Sequence, residues 1–159
     1  MSEQGYISRF TVGPRLMRWM FRLWPPFRGM GIRVREIAPD FRSVVVELRQ
    51  LLLNRNFVGT HFGGSMFSMT DPFYMIMMMQ VLGREYVVWD KAGTIRFIKP
   101  GRGTLVARFE LTEAMVDEVL RKTAAGEKFE PTYSVDVVNA EGETVARVEK
   151  TLHIRRKKN

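Results

Sequence analysis

Between Asn56 and Asp71 the chain carries residue types that can bind and activate a carbonyl group. Gly63 and Gly64 stand where a loop gives way to an apolar helix. The first N–H groups of a helix have no partner within it, and the helix dipole adds partial positive charge there. A carbonyl oxygen placed on those donors would be stabilised as it becomes an oxyanion. Asn56 adds an amide that can hold a carbonyl or a water.

Asp71 is the only residue between His61 and Arg84 that is charged at neutral pH. An unpaired carboxylate inside an apolar helix is costly, so such a residue is partnered, solvated in a cleft, or used as a base or nucleophile. The alternative is that the helix begins at Asp71, which would cap it, with Pro72 in the first turn. If the helix begins near Gly64 instead, Pro72 lies inside it and should kink it. The residues alone leave both alternatives open.

The segment 65–82 predicts a helix that is buried on every side, because it is apolar around nearly its whole circumference. Its methionines favour core packing over the accommodation of a flexible acyl chain. Asp71 and Pro72 interrupt it, so it is not a membrane span. Gly83 ends it.

The elements that position this segment alternate between short strands and helices. Apolar and polar residues alternate in the strands, and a second apolar stripe marks a surface helix. These elements predict an α+β fold in which a twisted, mostly antiparallel sheet wraps around one apolar helix. An unpaired edge strand of such a sheet favours self-association. The predicted elements are helix 14–24, strands 31–38 and 42–49, helix 65–82, one bent strand over 86–89 and 94–99, strand 104–111, helix 113–125, and a hairpin of strands 129–138 and 143–154.

The spacing of Asn56, Gly63-Gly64 and Asp71 resembles that of hotdog-fold acyl-CoA thioesterases of the phenylacetyl-CoA thioesterase type. The F-G-G-S motif with Asp-Pro is similar to an uncharacterised thioesterase-like branch of the same superfamily. The likeness of element order covers residues 32–154. It implies a hotdog fold with a strongly curved antiparallel sheet of about six strands around one long central helix. It also implies one domain, with a helical extension over 1–27, a hotdog core over 28–155 and a basic tail over 156–159.

The resemblance also implies roles for these residues. A backbone N–H of Gly63 or Gly64 would polarise the thioester carbonyl, while Asp71 would activate water or attack directly. Asn56 would position the water or the acyl group. The substrate would be an acyl-CoA or another acyl-thioester, with coenzyme A as part of the substrate and no separate cofactor or metal. The family builds each site from two subunits, so the resemblance implies a homodimer or homotetramer.

The chain departs from the thioesterase type at one position. Where that type has histidine immediately before the glycine pair, this chain has Phe62, which we expect to line an acyl pocket. His61, one residue earlier, is a substrate-binding candidate, with a solvent-exposed loop histidine as the alternative. Thr60 and Ser65 complete the substrate-binding candidates. The departure keeps a non-catalytic acyl-CoA or lipid-binding protein as the second hypothesis, and a hydratase or dehydratase ranks last.

Composition excludes several other classes of site. The chain has 159 residues and no cysteine, which excludes disulfides and cysteine metal sites. Its two histidines are far apart in sequence, which disfavours a histidine-rich metal site. The net charge of +8 belongs to the two ends of the chain, whereas a nucleic-acid-binding protein more often carries it across a folded face. We therefore expect no nucleic-acid partner.

The helix 14–24 has a second interpretation besides packing over the end of the sheet. Arg15, Arg18 and Arg22 recur at helical spacing and make one face basic, which is typical of a helix that contacts a membrane surface. Residues 1–10 show no secretory signal. We expect a cytoplasmic protein, and any membrane contact would be weak and confined to residues 14–24.

Overall fold

The computed structural model describes residues 12–157, so the predictions for residues 1–10 and for the end of the basic tail lie outside the described part. The helices are α1 Pro14–Leu23, α2 Pro25–Met30, α3 Gly63–Ser68, α4 Phe73–Leu82 and α5 Glu113–Lys122. The strands are β1 Ile32–Ile37, β2 Ser43–Leu48, β3 Tyr86–Phe97, β4 Leu105–Glu110, β5 Lys128–Phe129, β6 Thr132–Val138 and β7 Thr144–Arg156.

The strands form one antiparallel sheet with the order β1-β2-β4-β6-β7-β3, and β5 pairs with β7. Seven strands replace the expected six because Pro131 separates Lys128–Phe129 from Thr132–Val138, and proline donates no ladder hydrogen bond. The expected bent strand is β3, whose bend is a bulge between Asp90 and Ala92. The sheet therefore ends in β1 on one side and in β3 on the other.

The core lies between the sheet and the helices α3 and α4. Met77 and Met78 are fully buried, and Phe73 packs against Phe109 of β4 with ring centroids 5.1 Å apart. Tyr74 is anchored where its hydroxyl donates a hydrogen bond to the Ser134 carbonyl at 2.8 Å. The opposite face of α4 is only half-buried, so within one chain this helix is covered less completely than its composition predicts.

The central helix is present as predicted, but it is divided. α3 ends at Ser68 and α4 begins at Phe73, with Pro72 at the N-cap position between them. Pro72 has no N–H, and its ring conflicts with the carbonyl four residues earlier, so a continuous helix is interrupted there. The Thr70 hydroxyl closes the break by donating to the Phe67 carbonyl at 2.7 Å. Asp71 consequently lies on a turn and not on a helix face.

The N-terminal helices cover the β1 side of the sheet. Helix α1 ends before the pair Pro25-Pro26, close to the predicted end at residue 24, and the same pair opens α2, since proline fits a first helical turn. Phe27 of α2 is buried. α2 ends at Gly31, whose φ of 75° is a left-handed conformation that suits glycine. Within residues 12–157, no helix has the length and apolar character needed to cross a membrane.

Candidate functional site

The loop that leads into α3 is held by the connection between β3 and β4. The Gln50 side chain donates to the Gly59 carbonyl at 3.0 Å and accepts from the Gly103 N–H at 2.9 Å. The His61 N–H donates to the Gly101 carbonyl at 2.9 Å. These long-range hydrogen bonds fix where α3 begins, and so they fix the direction in which its first N–H groups point.

Asn56 organises the loop from within. Its Oδ1 accepts hydrogen bonds from the N–H groups of Val58 at 3.1 Å and Thr60 at 3.0 Å. Its Nδ2 donates to the Thr60 hydroxyl at 2.8 Å and to the His61 carbonyl at 3.2 Å. A carboxamide has two donors and two lone pairs, so the whole hydrogen-bonding capacity of this side chain is used inside the loop. The amide predicted to hold substrate or water is instead the closure of a turn.

His61 is buried, with 1% of its surface exposed, so the alternative of a solvent-exposed loop histidine is wrong. Its Nε2 lies 2.7 Å from the Gly103 carbonyl. A carbonyl only accepts, so Nε2 carries the proton, and the buried Nδ1 has no partner among residues 12–157. Burial lowers the pKa of His61, and the hydrogen bond to Gly103 opposes part of that effect. The ring is therefore neutral and structural at neutral pH.

The glycine pair opens α3 and is flanked by two aromatic rings. α3 starts at Gly63, after Phe62 in an extended conformation. A Cβ on Gly63 would lie 2.7 Å from Cζ of Phe97, and a Cβ on Gly64 would meet the Phe62 ring. Both phenylalanines are about half exposed. Close approach of these rings explains why both positions are glycine, and it places apolar surface beside the first N–H groups of the helix.

The two hydroxyl candidates beside the glycine pair are both buried. Thr60 Oγ1 accepts the hydrogen bond from Asn56, which ties it to the loop. The Ser65 N–H donates to the Phe62 carbonyl at 3.0 Å and closes the first turn of α3. Among residues 12–157, the N–H groups of Gly63 and Gly64 have no hydrogen-bond acceptor. The free donors expected at this helix start are thus present.

Asp71 is solvent-accessible and does not cap a helix. Its side chain is 59% exposed, and α4 has no side-chain cap at its start. The carboxylate instead accepts a hydrogen bond from Lys150 Nζ, which lies 2.9 Å from Oδ1. The capping alternative is therefore wrong, and the carboxylate is held in one place by a charged partner while it faces solvent.

Lys150 comes from β7 and is buried, with its side chain only 3% exposed. Its Nζ also lies 3.5 Å from Asp90 Oδ2 and 5.5 Å above the Phe67 ring centroid. Its register partner in β3 is Gly93, where a Cβ would come within 3.3 Å of Lys150 Cδ and 2.9 Å of Phe67 Cζ. Glycine at this position therefore leaves the space through which the lysine stem runs.

Asp90 is the more buried of the two carboxylates in this cluster, with its side chain 21% exposed against 59% for Asp71. Its Oδ1 is buried without a hydrogen-bond partner among residues 12–157. Burial raises the pKa of Asp90 to about 6; the positive charge of Lys150 opposes this and the negative charge of Asp71 adds to it. One ammonium group thus serves two carboxylates, one facing solvent and one facing the interior.

Sequence reasoning missed Lys150 and Asp90. The sequence signal that could have found Lys150 is its position in the strand. It lies between Val148 and Leu152 on the inward side of a strand whose alternate residues are apolar. A lysine at such a position needs a buried partner. Which partner it has depends on the register of β3 against β7, which a single sequence does not reveal.

Within one chain the two halves of the predicted site are separated. Gly63 begins α3 and Asp71 follows its end, eight positions further along. At about 1.5 Å per helical residue, α3 alone separates Gly63 from Ser68 by roughly 8 Å, and Asp71 lies three residues beyond that end of the helix. One chain therefore does not place Asp71 on a carbonyl bound at its own Gly63. Among residues 12–157 there is also no cluster of side chains suited to hold a metal ion.

Solved structures of other proteins share this architecture. A protein of unknown function from Pseudomonas aeruginosa, described as a probable thioesterase, superposes with a TM-score of 0.77 at 18% identity, over 90% of this chain and 95% of its own. A thioesterase from Haemophilus influenzae gives a TM-score of 0.66 at 11% identity, over 92% and 93% of the two chains. The Escherichia coli PaaI protein of the phenylacetic acid degradation operon gives 0.63 at 20% identity, over 91% and 93%.

At these identities the likeness establishes the fold, which is the hotdog fold predicted from the sequence. The chain is therefore a hotdog-fold protein. More narrowly, the model of the family DUF4442, a domain of unknown function, matches residues 13–154, and the chain belongs to that family. A search of the curated proteins finds no match.

Proposed function

We propose that this protein hydrolyses acyl-thioesters, with an acyl-CoA as substrate and Asp71 as the general base or nucleophile. The observation that supports this most is the state of Asp71. It is a solvent-accessible carboxylate on the break of the central helix, and the buried Lys150 orients it. Geometry of this kind is what a group that activates water requires, because it must be both reachable and fixed.

The chemistry needs two groups that act on one carbonyl. Asp71 takes a proton from water as the water oxygen attacks the thioester carbon. The oxyanion that forms is held by the backbone N–H of Gly63 or Gly64, and the coenzyme A thiolate then leaves. If Asp71 attacks directly, an acyl anhydride forms first and water hydrolyses it in a second step. Phe62 and Phe97 would line the acyl group beside the glycine pair.

The two groups meet only if a second copy of the chain supplies one of them, so we propose a homodimer that shares its sites. Strand β3 is one of the two edge strands of the sheet, and most of its residues from Asp90 onward are exposed. Phe97 and Ile98 at its end are 53% and 52% exposed. An unprotected edge with apolar residues is a template for pairing, and antiparallel pairing of β3 with its copy would bring Gly63 of one subunit towards Asp71 of the other.

The test is a panel of short, long and aromatic acyl-CoA thioesters, with released thiol measured for the parent chain and for Asp71→Asn. We expect hydrolysis of at least one thioester and a loss of about 100-fold or more in kcat for the variant, the range expected for a removed acid–base group. Asp117→Asn, an exposed aspartate on α5, is the matched control. Equal kcat for the parent and Asp71→Asn would refute the assignment.

A non-catalytic acyl-thioester binding protein is the second candidate. The observation that favours it is Asn56, whose amide is fully used inside the loop and so is not free to position water. Calorimetric binding of an acyl-CoA without any release of thiol across the same panel would support this candidate. Turnover of any member that depends on Asp71 would exclude it.

A further inference from the structure

Helix α1 divides its circumference into three stripes. Phe21 faces the core, where its ring stacks on Phe27 at 5.3 Å and contacts Phe73 at 5.5 Å between centroids. The remaining two stripes both face solvent, and none of the residues of α1 is buried. One is basic, with arginines three and four positions apart. The other is apolar, and its members are Leu16, Trp19, Met20 and Leu23, between 46% and 57% exposed.

The basic stripe continues onto the edge strand β1. Arg15, Arg18 and Arg22 of α1 line a groove of about 390 Å³ together with Arg33 and Arg35 of β1. Residues 12–35 contain six arginines and no acidic residue. Trp19 and Val34 complete its lining, and we call the five lining arginines the arginine groove.

The arginine groove has little internal compensation. Arg35 pairs with Glu47 at 3.2 Å, and Arg18 donates to the Arg35 carbonyl at 3.2 Å. Arg15, Arg22 and Arg33 have no ion pair with any of residues 12–157. Uncompensated positive charge in a groove creates a potential that attracts anions.

We propose that α1 and β1 form a docking surface for an anionic phospholipid membrane. The arginine groove binds lipid phosphates, while the apolar stripe enters the boundary between headgroups and acyl chains, a position that suits Trp19. A soluble phosphate compound would use the arginines but leave the adjoining apolar stripe in water. A second copy of the chain docked symmetrically on this face would set arginines against arginines. This proposal is independent of the activity proposed above.

The experiment is co-sedimentation of the full chain with two vesicle types at low ionic strength. One is phosphatidylcholine alone, and the other contains about 30% phosphatidylglycerol. We expect binding to the anionic vesicles only, weakened by added salt. Replacing Arg15, Arg18 and Arg22 together by Gln should lower the partition coefficient roughly 100-fold, since each basic residue near such a surface contributes about fivefold.

A charge-matched control distinguishes binding by this surface from binding that depends only on net charge. The control replaces three exposed basic residues outside the arginine groove by Gln, namely Arg108, Arg121 and Lys122. This control should bind the anionic vesicles nearly as the parent does. Circular dichroism checks that both variants fold. Equal loss in the two triple variants, or equal binding to neutral vesicles, would overturn the proposal.

Two further measurements exclude the other occupants. The tryptophan fluorescence of the chain should shift to the blue on addition of anionic vesicles, and the Trp19→Phe variant should lose most of that shift. This test does not depend on whether the triple arginine variant folds. Calorimetry with inorganic phosphate and with coenzyme A tests for a soluble anion. Arginine-dependent binding of either compound without vesicle binding would overturn the proposal. Self-association of the chain through this face, seen by sedimentation without vesicles, would also overturn it.

Discussion

Replacing Asp90 by Asn should change how the stability of the protein depends on pH. Burial raises the pKa of Asp90 from its ordinary value of 3.8 to about 6. The folded state therefore binds this proton more tightly than the unfolded state does. The stabilisation that this protonation contributes is complete at pH values below the ordinary pKa of 3.8, and it is lost as the pH rises through about 6. The difference between the two pKa values corresponds to at most about 3 kcal/mol, because one pKa unit is worth about 1.4 kcal/mol.

Urea unfolding of the parent and of Asp90→Asn, each between about pH 4 and 7.5, measures this term as a difference. The variant keeps the shape of the side chain but does not ionise, so its stability relative to the parent should increase with pH, by about 1 to 3 kcal/mol over that range. Lys150→Met is the control, since Lys150 lowers the pKa of Asp90 and its loss should move the change to higher pH. A difference between Asp90→Asn and the parent that is constant with pH would refute the burial argument.

Three other substitutions or measurements follow from the site. The Gly63→Pro variant should fold, because Phe62 already has the extended conformation that precedes proline at a first helical position. The variant should lower thioester hydrolysis by about 100-fold, because it removes one backbone N–H donor. Gly63→Ala keeps the N–H with the same added Cβ against Phe97 and should retain most of the activity, so equal loss in both variants would contradict a donor role. Gly93→Ala should destabilise the protein in urea by about 1 to 3 kcal/mol, because its Cβ would lie 2.9 Å from Phe67 Cζ and 3.3 Å from Lys150 Cδ; unchanged stability would contradict that packing. NMR should show that the imidazole of His61 titrates below its ordinary pKa of 6.5. Its neutral form therefore contributes stability that is complete above pH 6.5 and is lost as the pH falls through the lowered pKa. A titration above 6.5 would contradict the burial of the ring.

The alternation of side chains predicted most of the fold. In β2 the apolar members of the alternating pattern, Val44, Val46 and Leu48, are all buried, and Pro72, where one of the two alternatives placed a kink, is where the central helix divides. These features are local, since period and proline chemistry act over a few residues. The extra helix after Pro25-Pro26 was missed because proline both ends one helix and begins another well.

The site was harder to predict because its partners are far apart in sequence. His61 reads as a loop residue, yet it is buried against Gly103, 42 positions away. Lys150 lies 79 positions from Asp71, and the packing of the central helix against β7 brings them together. The closure of the loop by Asn56 was predictable, since asparagine commonly bonds to N–H groups a few residues ahead.

The central proposal is that Asp71 of one subunit acts on a carbonyl held at Gly63 of its partner, and subunit complementation tests this most directly. Asp71→Asn and Gly63→Pro chains, each inactive alone, are co-expressed with different affinity tags so that mixed dimers are counted. In a mixed dimer one site keeps both groups and the other lacks both. The proposal predicts recovery of roughly a quarter of the parent's thioester hydrolysis in an equal mixture, since half of the dimers are mixed and half of their sites are intact. No recovery of hydrolysis in mixed dimers that have been isolated by both tags would contradict it.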